Sequence, residues 1–314
     1  MMTAILGAGA FGTALAVALS STQPVTLWGR NLSETAGRES PRLPGITIPG
    51  QVMLTNDLAA ALDDRVILAL PAQALREFLA GHGPTLNGRV LVNTAKGIDL
   101  ATGESPSILM ARACPKSHIA TLTGPSFAAD IARGLPTALT LACAEDAIAE
   151  SLQHELSTPV LRIYRTDDLR GAELGGALKN VIAIAAGVAI GAGFGDSARA
   201  ALITRGFAEM TRLAIAMGAR AETLAGLSGL GDLVLTSTSE LSRNFRFGRA
   251  LGAGETFQTG VTVEGAFTAR AASALAHGKG IPMPVADAVA ALAEGGVSVA
   301  DTVRELLARP LKEE

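Results

Sequence analysis

Aromatic residues are scarce: 4% of the chain, with a single tryptophan, Trp28, and a single tyrosine, Tyr164. Its cores must therefore be built mostly from Ala, Leu, Val and Ile. Only two cysteines occur, Cys114 and Cys143, at a spacing that suits neither a metal site nor a disulfide framework. They read as small buried hydrophobes in a reducing compartment, and no metal is expected. Charge of one sign is also missing. Twenty-nine acidic against 26 basic residues leave a formal net charge of −3, which removes the electrostatic case for nucleic acid or for a polybasic membrane patch. The longest apolar stretch begins at Val181 and runs to Gly195, short of the roughly 18 residues a membrane span needs. Rich in Gly and Ala, it reads as a helix buried in a tightly packed core, and no membrane insertion is expected. The first strand starts almost at the N-terminus, so no targeting peptide is expected and a cytoplasmic protein is.

What is present fits two globular domains: 314 residues, 48% of them hydrophobic. Short apolar runs at Thr3 to Leu6, Val25 to Trp28, Val66 to Leu70, Val90 to Ala95 and Ile119 to Leu122 alternate with helical patterns after Gly12, near Leu58, around Ala72 and around Ser107. Such alternation builds a parallel sheet covered on both faces by helices. Thr137 to Ala142 and Val160 to Tyr164 are candidates to extend it. From about Leu169 the pattern turns to helix after helix, through 170–190, 197–217, 266–277 and 284–293. The expected fold is an α/β N-terminal Rossmann domain with a doubly wound, mostly parallel sheet over 1–170, followed by a mostly α-helical domain over 171–314. A helical second domain of this kind is also a candidate surface for a homodimer.

The first strand runs into Gly7-Ala8-Gly9-Ala10-Phe11-Gly12 and then an apolar helix start. In that context Gly-x-G-x-x-Gly is a dinucleotide fingerprint: Gly7 for the tight turn, Gly9 for close approach of a pyrophosphate, Gly12 for helix-on-strand packing. The end of the second strand chooses the dinucleotide. Where an acidic residue would bind the ribose hydroxyl of NAD, the chain has Arg30, and the first carboxylate is Glu34. The planar fork of an arginine suits a 2′-phosphate, so NADPH is favoured, with NADH as the second possibility; a solvated loop charge is the other reading of Arg30.

Four polar clusters interrupt the apolar background. Asn93-Thr94-Ala95-Lys96-Gly97 follows the fourth strand, where open parallel sheets place their ligands; Lys96 reaches a substrate or is a surface lysine. Thr123-Gly124-Pro125-Ser126-Phe127-Ala128 opens a helix, and Ser126 either seats a ligand or caps that helix. Lys179 lies in an otherwise small, apolar helix. Burying an ammonium is costly without compensation, which favours function over snorkelling to the surface. Desolvation and a second cation such as Lys96 would lower its pKa toward the range of a neutral-pH proton donor. Finally, the glycine-rich loop around Asp232 is followed by Ser242-Arg243-Asn244, with Arg246 and Arg249 at further three-residue steps. These are a phosphate pocket or a solvated basic stripe.

In this order and spacing, the glycine fingerprint, Leu27-Trp28-Gly29-Arg30, Thr94-Ala95-Lys96-Gly97, Thr123-Gly124-Pro125-Ser126, Leu178-Lys179-Asn180-Val181, Gly229-Leu230-Gly231-Asp232, Ser242-Arg243-Asn244 and Val263-Glu264-Gly265 resemble the bacterial-type NAD(P)-dependent glycerol-3-phosphate dehydrogenases over nearly the whole chain. The resemblance implies reversible reduction of dihydroxyacetone phosphate to sn-glycerol 3-phosphate, supplied to phospholipid synthesis. It implies Lys179 as proton donor and acceptor, Lys96 steadying the developing oxyanion and Asp232 holding Lys179. Lys96, Gly124, Ser126, Lys179, Asp232, Ser242, Arg243 and Asn244 then contact the substrate, with Arg243 and Asn244 at the phosphate. Gly7, Gly9, Ala10, Phe11, Gly12, Arg30, Lys96, Ala128, Arg243 and Glu264 contact the dinucleotide. Ser126 stands where many relatives carry Thr, which keeps the hydroxyl. Two rivals stay open: a two-domain hydroxy-acid dehydrogenase, which Arg243 and Asn244 argue against, and a non-catalytic NADPH sensor, which would not need Lys96, Lys179 and Asp232.

Overall fold

The computed structural model describes residues 2–30, 32, 38–257 and 263–307; Glu34 lies outside them. Eight strands form one sheet in the order β3-β2-β1-β4-β5-β6-β7-β8. They are β1 (Thr3–Leu6), β2 (Val25–Trp28), β3 (Val52–Thr55), β4 (Arg65–Leu68), β5 (Val90–Asn93), β6 (His118–Thr123), β7 (Thr137–Cys143) and β8 (Leu161–Thr166). All neighbours run parallel except β6 and β7, which pair antiparallel. The expected doubly wound, mostly parallel sheet is therefore present. Apolar side chains on both faces of β1 are buried, as a strand covered by helices above and below requires. The helices of this half are α1 (Ala10–Leu19), α2 (Leu58–Ala61), α3 (Ala72–Leu86), α4 (Pro106–Ala113), α5 (Ala128–Ala132) and α6 (Asp146–Leu156).

Two strands end earlier than their apolar runs suggest. At β5 the cause is local: Asn93 Oδ1 accepts from the Ala95 N–H at 2.8 Å and Asn93 Nδ2 donates to the Ala95 carbonyl at 3.2 Å. That side-chain mimic of a turn stops the ladder and lifts the next residue, Lys96, off the sheet. β4 ends at Leu68, three residues before Pro71.

The rest of the chain is α7 (Leu169–Gly191), α8 (Gly195–Ala216), α9 (Ala221–Ala225), a π-helical turn at Leu227–Gly231, α10 (Asp232–Ser237), α11 (Arg243–Ala253), α12 (Glu264–His277), α13 (Pro284–Glu294) and α14 (Val299–Leu307). The apolar stretch seen in the sequence covers the second half of α7 and the turn that leads to α8. Helix α7 begins earlier than that stretch and is long and apolar enough to cross a membrane, but 89% of its most apolar window is buried inside the fold. Asp168 caps it, accepting from the Gly171 N–H at 2.8 Å. The other helices pack around it, and Glu209 of α8 holds the start of α13 by accepting from the Val285 N–H at 3.0 Å.

The closest of these contacts is with α11. A Cβ on Gly248 would stand 2.0 Å from the Ile184 carbonyl oxygen, and one on Gly187 2.1 Å from that of Phe245. The two backbones touch, and this sets where the first turn of α11 meets the middle of α7. Gly248→Ala is expected to force the helices apart, at the upper end of the about 1–3 kcal/mol typical of overpacking. A lowered melting temperature is the expected result; an unchanged melting temperature would show that the contact is not so close.

Candidate active site

The sheet changes winding direction at β1, whose neighbours are β2 on one side and β4 on the other. The crevice beyond the strand ends at such a point is where open α/β sheets bind ligands. Gly7 turns the chain here with φ +125, and a Cβ on it would strike the Ala69 carbonyl oxygen at 2.3 Å. Gly12 touches the Gly7 carbonyl in the same way, at 2.0 Å. Gly9 differs: nothing lies within 4 Å of the position its Cβ would take. No protein atom requires a glycine at that point, but a ligand approaching the backbone would. Gly9 also starts α1 without a side-chain cap, leaving the helix N-terminus open to an anion. These features fit the pyrophosphate of a dinucleotide.

A cleft of about 370 Å³ extends from this turn to the helical half of the chain. Gly9, Ala10, Phe11 and Ala128 line it on the sheet side, with Lys96 and Ser126. Lys179, Ser242, Arg243, Asn244 and Glu264 close it from the helices. Beneath the floor lies Asp232, 1% exposed. Its Oδ1 accepts from Lys179 Nζ at 2.8 Å and its Oδ2 from Lys96 Nζ at 2.6 Å. Lys96 also donates to the Gly124 carbonyl at 3.0 Å. Lys179 is therefore neither snorkelling nor solvated, and Lys96 is not a free surface lysine.

Two ammonium groups share one carboxylate, so the centre carries an excess positive charge suited to an anionic substrate or a developing oxyanion. Burial lowers the Lys179 pKa to about 8, Asp232 opposes that shift, and Lys96 adds to it. A group so placed exchanges protons near neutral pH. Glu264 is raised from its ordinary value, first by burial, while the Ala72 backbone N–H and the cations Arg243, Lys179 and Lys96 act to lower it.

Around this centre the polar residues are held by specific partners. Asp232 opens α10 directly after the π-helical turn. Ser126 Oγ donates to the Gly124 carbonyl at 3.2 Å and lines the cleft; the N-cap of α5 is Phe127, with no side-chain cap, so the capping reading of Ser126 does not hold. Ser242 caps α11, accepting from the Phe245 N–H at 3.2 Å and meeting Thr236 Oγ1 at 2.8 Å. Asn244 donates to Asn180 Oδ1 at 2.9 Å and accepts from the Gly265 N–H at 3.0 Å, tying α11 to α7 and α12. Arg246 and Arg249 are exposed and outside the cleft, with Arg249 paired to Glu240 at 3.0 Å. Arg30 is exposed at the end of β2 and does not line the cleft either.

Asn180, Arg42, Thr94 and Thr236 also line the cleft; Thr94 and Asn180 fall within the sequence motifs, but none of the four is assigned a role from the sequence. Asn180 follows Lys179 and could have been added on that ground; Arg42 sits in an irregular loop that no periodicity marks. A larger hollow of about 670 Å³ at the edge strand β8 holds none of the paired lysines.

Comparison with known proteins gives the family. The family model for the NAD-dependent glycerol-3-phosphate dehydrogenase N-terminus matches residues 2–149, and that for its C-terminus matches 168–304. The chain belongs to the NAD-dependent glycerol-3-phosphate dehydrogenase family. It is 63% identical over 314 residues, 100% of both chains, to the glycerol-3-phosphate dehydrogenase [NAD(P)+] of Paracoccus denitrificans (strain Pd 1222). Its counterpart from Cereibacter sphaeroides is 62% identical over 313 residues, again 100% of both chains. The crystal structure of glycerol-3-phosphate dehydrogenase from Coxiella burnetii superposes with a TM-score of 0.92 at 35% identity, covering 98% of this chain and 99% of that one. The first matched segment ends at residue 149, inside α6, and the second begins at 168, between the end of β8 at Thr166 and the start of α7 at Leu169.

Proposed function

We propose that the chain reduces dihydroxyacetone phosphate to sn-glycerol 3-phosphate, reversibly, with NADPH or NADH, in the cytoplasm and in supply of phospholipid synthesis. The observation that carries the reading is Asp232 shared between Lys179 at 2.8 Å and Lys96 at 2.6 Å in the cleft below the glycine turn. Residues 1–170 hold the dinucleotide and 171–314 supply most of the substrate site. Gly7, Gly9, Ala10, Phe11 and Gly12 form the turn that would receive the pyrophosphate, and Ala128, Arg243 and Glu264, which line the same cleft, would also hold the dinucleotide. When bound, the cofactor supplies a hydride to the carbonyl carbon.

The chain's own residues do the rest. Lys179, as its ammonium, donates a proton to the carbonyl oxygen as that oxygen gains charge, and is reprotonated from solvent. In the oxidation its neutral amine takes the hydroxyl proton instead. Lys96 holds the oxygen by a charge-assisted hydrogen bond, and Asp232 keeps both ammonium groups aimed. Ser126 lines the cleft, and the Gly124 carbonyl holds Lys96 and Ser126 in place beside it. Arg243, Asn244 and the first turn of α11 capped by Ser242 grip the phosphate, and that remote binding energy fixes the carbonyl against the hydride donor.

The test is loss of NADPH absorbance with purified protein. Oxidation of NADPH by dihydroxyacetone phosphate, and much less by unphosphorylated dihydroxyacetone, supports the reading. Turnover with a three-carbon acid semialdehyde but not with the phosphorylated ketone would overturn it.

Cofactor choice rests on Arg30, exposed at the end of β2. Arg30→Asp is expected to raise KM for NADPH about tenfold or more while leaving KM for NADH nearly unchanged, since one charge-assisted phosphate contact contributes roughly 1.5–3 kcal/mol. Equal effects on both cofactors would remove Arg30 from the choice.

A further inference from the structure

Glu173 is a buried acid that takes no part in the proposed proton transfer. It lies on α7 six residues before Lys179, is 5% exposed, and its side-chain hydrogen bonds cross to the sheet half of the chain. Its Oε1 accepts from the Ser107 N–H at 2.9 Å and from Thr121 Oγ1 at 3.0 Å, and its Oε2 accepts from Ser107 Oγ at 2.6 Å. Ser107 belongs to the first turn of α4 and Thr121 to β6. The charge is met by hydroxyls and a helix N-terminus, while burial raises the carboxyl above its ordinary value.

The contacts continue toward the active centre. Thr121 Oγ1 accepts from Asn93 Nδ2 at 3.4 Å, and Asn93 holds Ala95 by both backbone groups. The next residue is Lys96, which meets Asp232, which meets Lys179 on the same helix as Glu173. One turn from Glu173, on the same side of α7, a Cβ on Gly176 would stand 2.8 Å from Thr123 Oγ1 and 3.5 Å from Lys96 Cγ. The stem of Lys96 therefore lies against the stretch of helix that Glu173 fastens down. A closed circuit of contacts joins the two lysines at both ends.

We propose that Glu173 is a positioning residue: by fastening α7 to the strand ends that carry Lys96, it sets the separation of Lys96 from Lys179 across Asp232. The proposal rests on the reading of Lys179 as proton donor. The charged groups facing Lys179 are Asp232 from α10, Lys96 from the end of β5 and Glu264 from α12, and of these only Lys96 is tied to Glu173. If the fastening is cut, Lys96 drifts from Asp232. Lys179 then loses a repelling cation and keeps its carboxylate, so it holds its proton to higher pH.

The chain has five lysines, so NMR titration of protein labelled with ¹³C at the lysine ε carbons, with Lys179→Ala as the assignment control, reads Lys179 directly. Thr121→Val cuts the link without removing the acid, Glu173→Ala removes the acid, and Glu173→Gln keeps its shape and one acceptor. In ligand-free protein, Thr121→Val and Glu173→Ala are expected to move the Lys179 titration to higher pH. In the loaded enzyme they lower kcat for reduction by about tenfold, as expected for a displaced catalytic group, with KM for the cofactor unchanged. Glu173→Gln is expected to recover part of both. If Glu173→Ala fails to fold, Thr121→Val and Glu173→Gln carry the test. Folded variants with an unmoved Lys179 titration and unchanged kcat would overturn the proposal. Because the titration is read without substrate, its outcome is independent of whether dihydroxyacetone phosphate is the substrate; failure of the wild-type assay would strike the reaction alone.

Discussion

Lys179→Ala is expected to lower kcat for reduction by about 10²- to 10⁴-fold, the usual contribution of a positioned proton donor. The dissociation constant for NADPH should change by less than about threefold, because the glycine turn that receives the pyrophosphate belongs to the sheet. The lysine is 7% exposed and donates to Asp232 at 2.8 Å, so water has little room to replace it as acid. The alanine variant leaves Asp232 paired to Lys96 alone, which keeps the buried carboxylate compensated and the fold intact. Steady-state kinetics with fluorescence titration of NADPH checks both halves. Turnover near wild type would remove Lys179 from the chemistry, and lost NADPH binding would point to a structural role instead.

Asp232→Asn is expected to do more than remove a hydrogen bond. The neutral amide leaves two ammonium groups side by side in a buried site, with one amide oxygen to share. Asp232 is the largest influence holding the Lys179 pKa up against burial, so without its charge that pKa falls below about 8. The ammonium fraction at pH 7 falls, and with both lysines no longer aimed by one carboxylate kcat for reduction drops by about 10²-fold or more. Lowering the pH toward 6 should recover part of that loss, where the wild-type rate changes little. Removing one member of a buried ionic set also costs about 3–5 kcal/mol, read as a lower melting temperature. A variant with a wild-type pH profile would show that Asp232 does not govern the protonation of Lys179.

Much of this molecule is legible in its sequence because its central strands are uniform apolar runs bounded by glycine, proline or asparagine. β1 and β2 have the expected bounds. β3 escaped although Val52-Met53-Leu54 is a short apolar run; at the edge of the sheet only Val52 of Val52–Thr55 is buried. Helix α6 was also missed, although Ala149, Leu152 and Leu156 are spaced for one buried face. The π-helical turn before Asp232 has no sequence signature beyond its glycines.

For the site, Lys179 stood out because a charge in a small, apolar helix demands an explanation. That the same carboxylate holds Lys96 is a fact of tertiary packing across 136 residues, which spacing along the chain does not encode. The use of Ser242 as a helix cap and of Asn244 as a tie between helices likewise appears only once α11 is seated on α7. Arg246 and Arg249 show the opposite limit, since a regular basic spacing placed one arginine in the cleft and two on the surface.

The most direct measurement is the pH dependence of the chemical step in each direction, followed as NADPH absorbance in single-turnover stopped flow with saturating substrate. Lys179, with its pKa lowered to about 8, must be an ammonium to reduce and an amine to oxidise. The reduction rate is therefore expected to fall, and the oxidation rate to rise, as pH increases through about 8. Rates in both directions that are flat across this range, or that move together, would contradict Lys179 as the proton donor and acceptor.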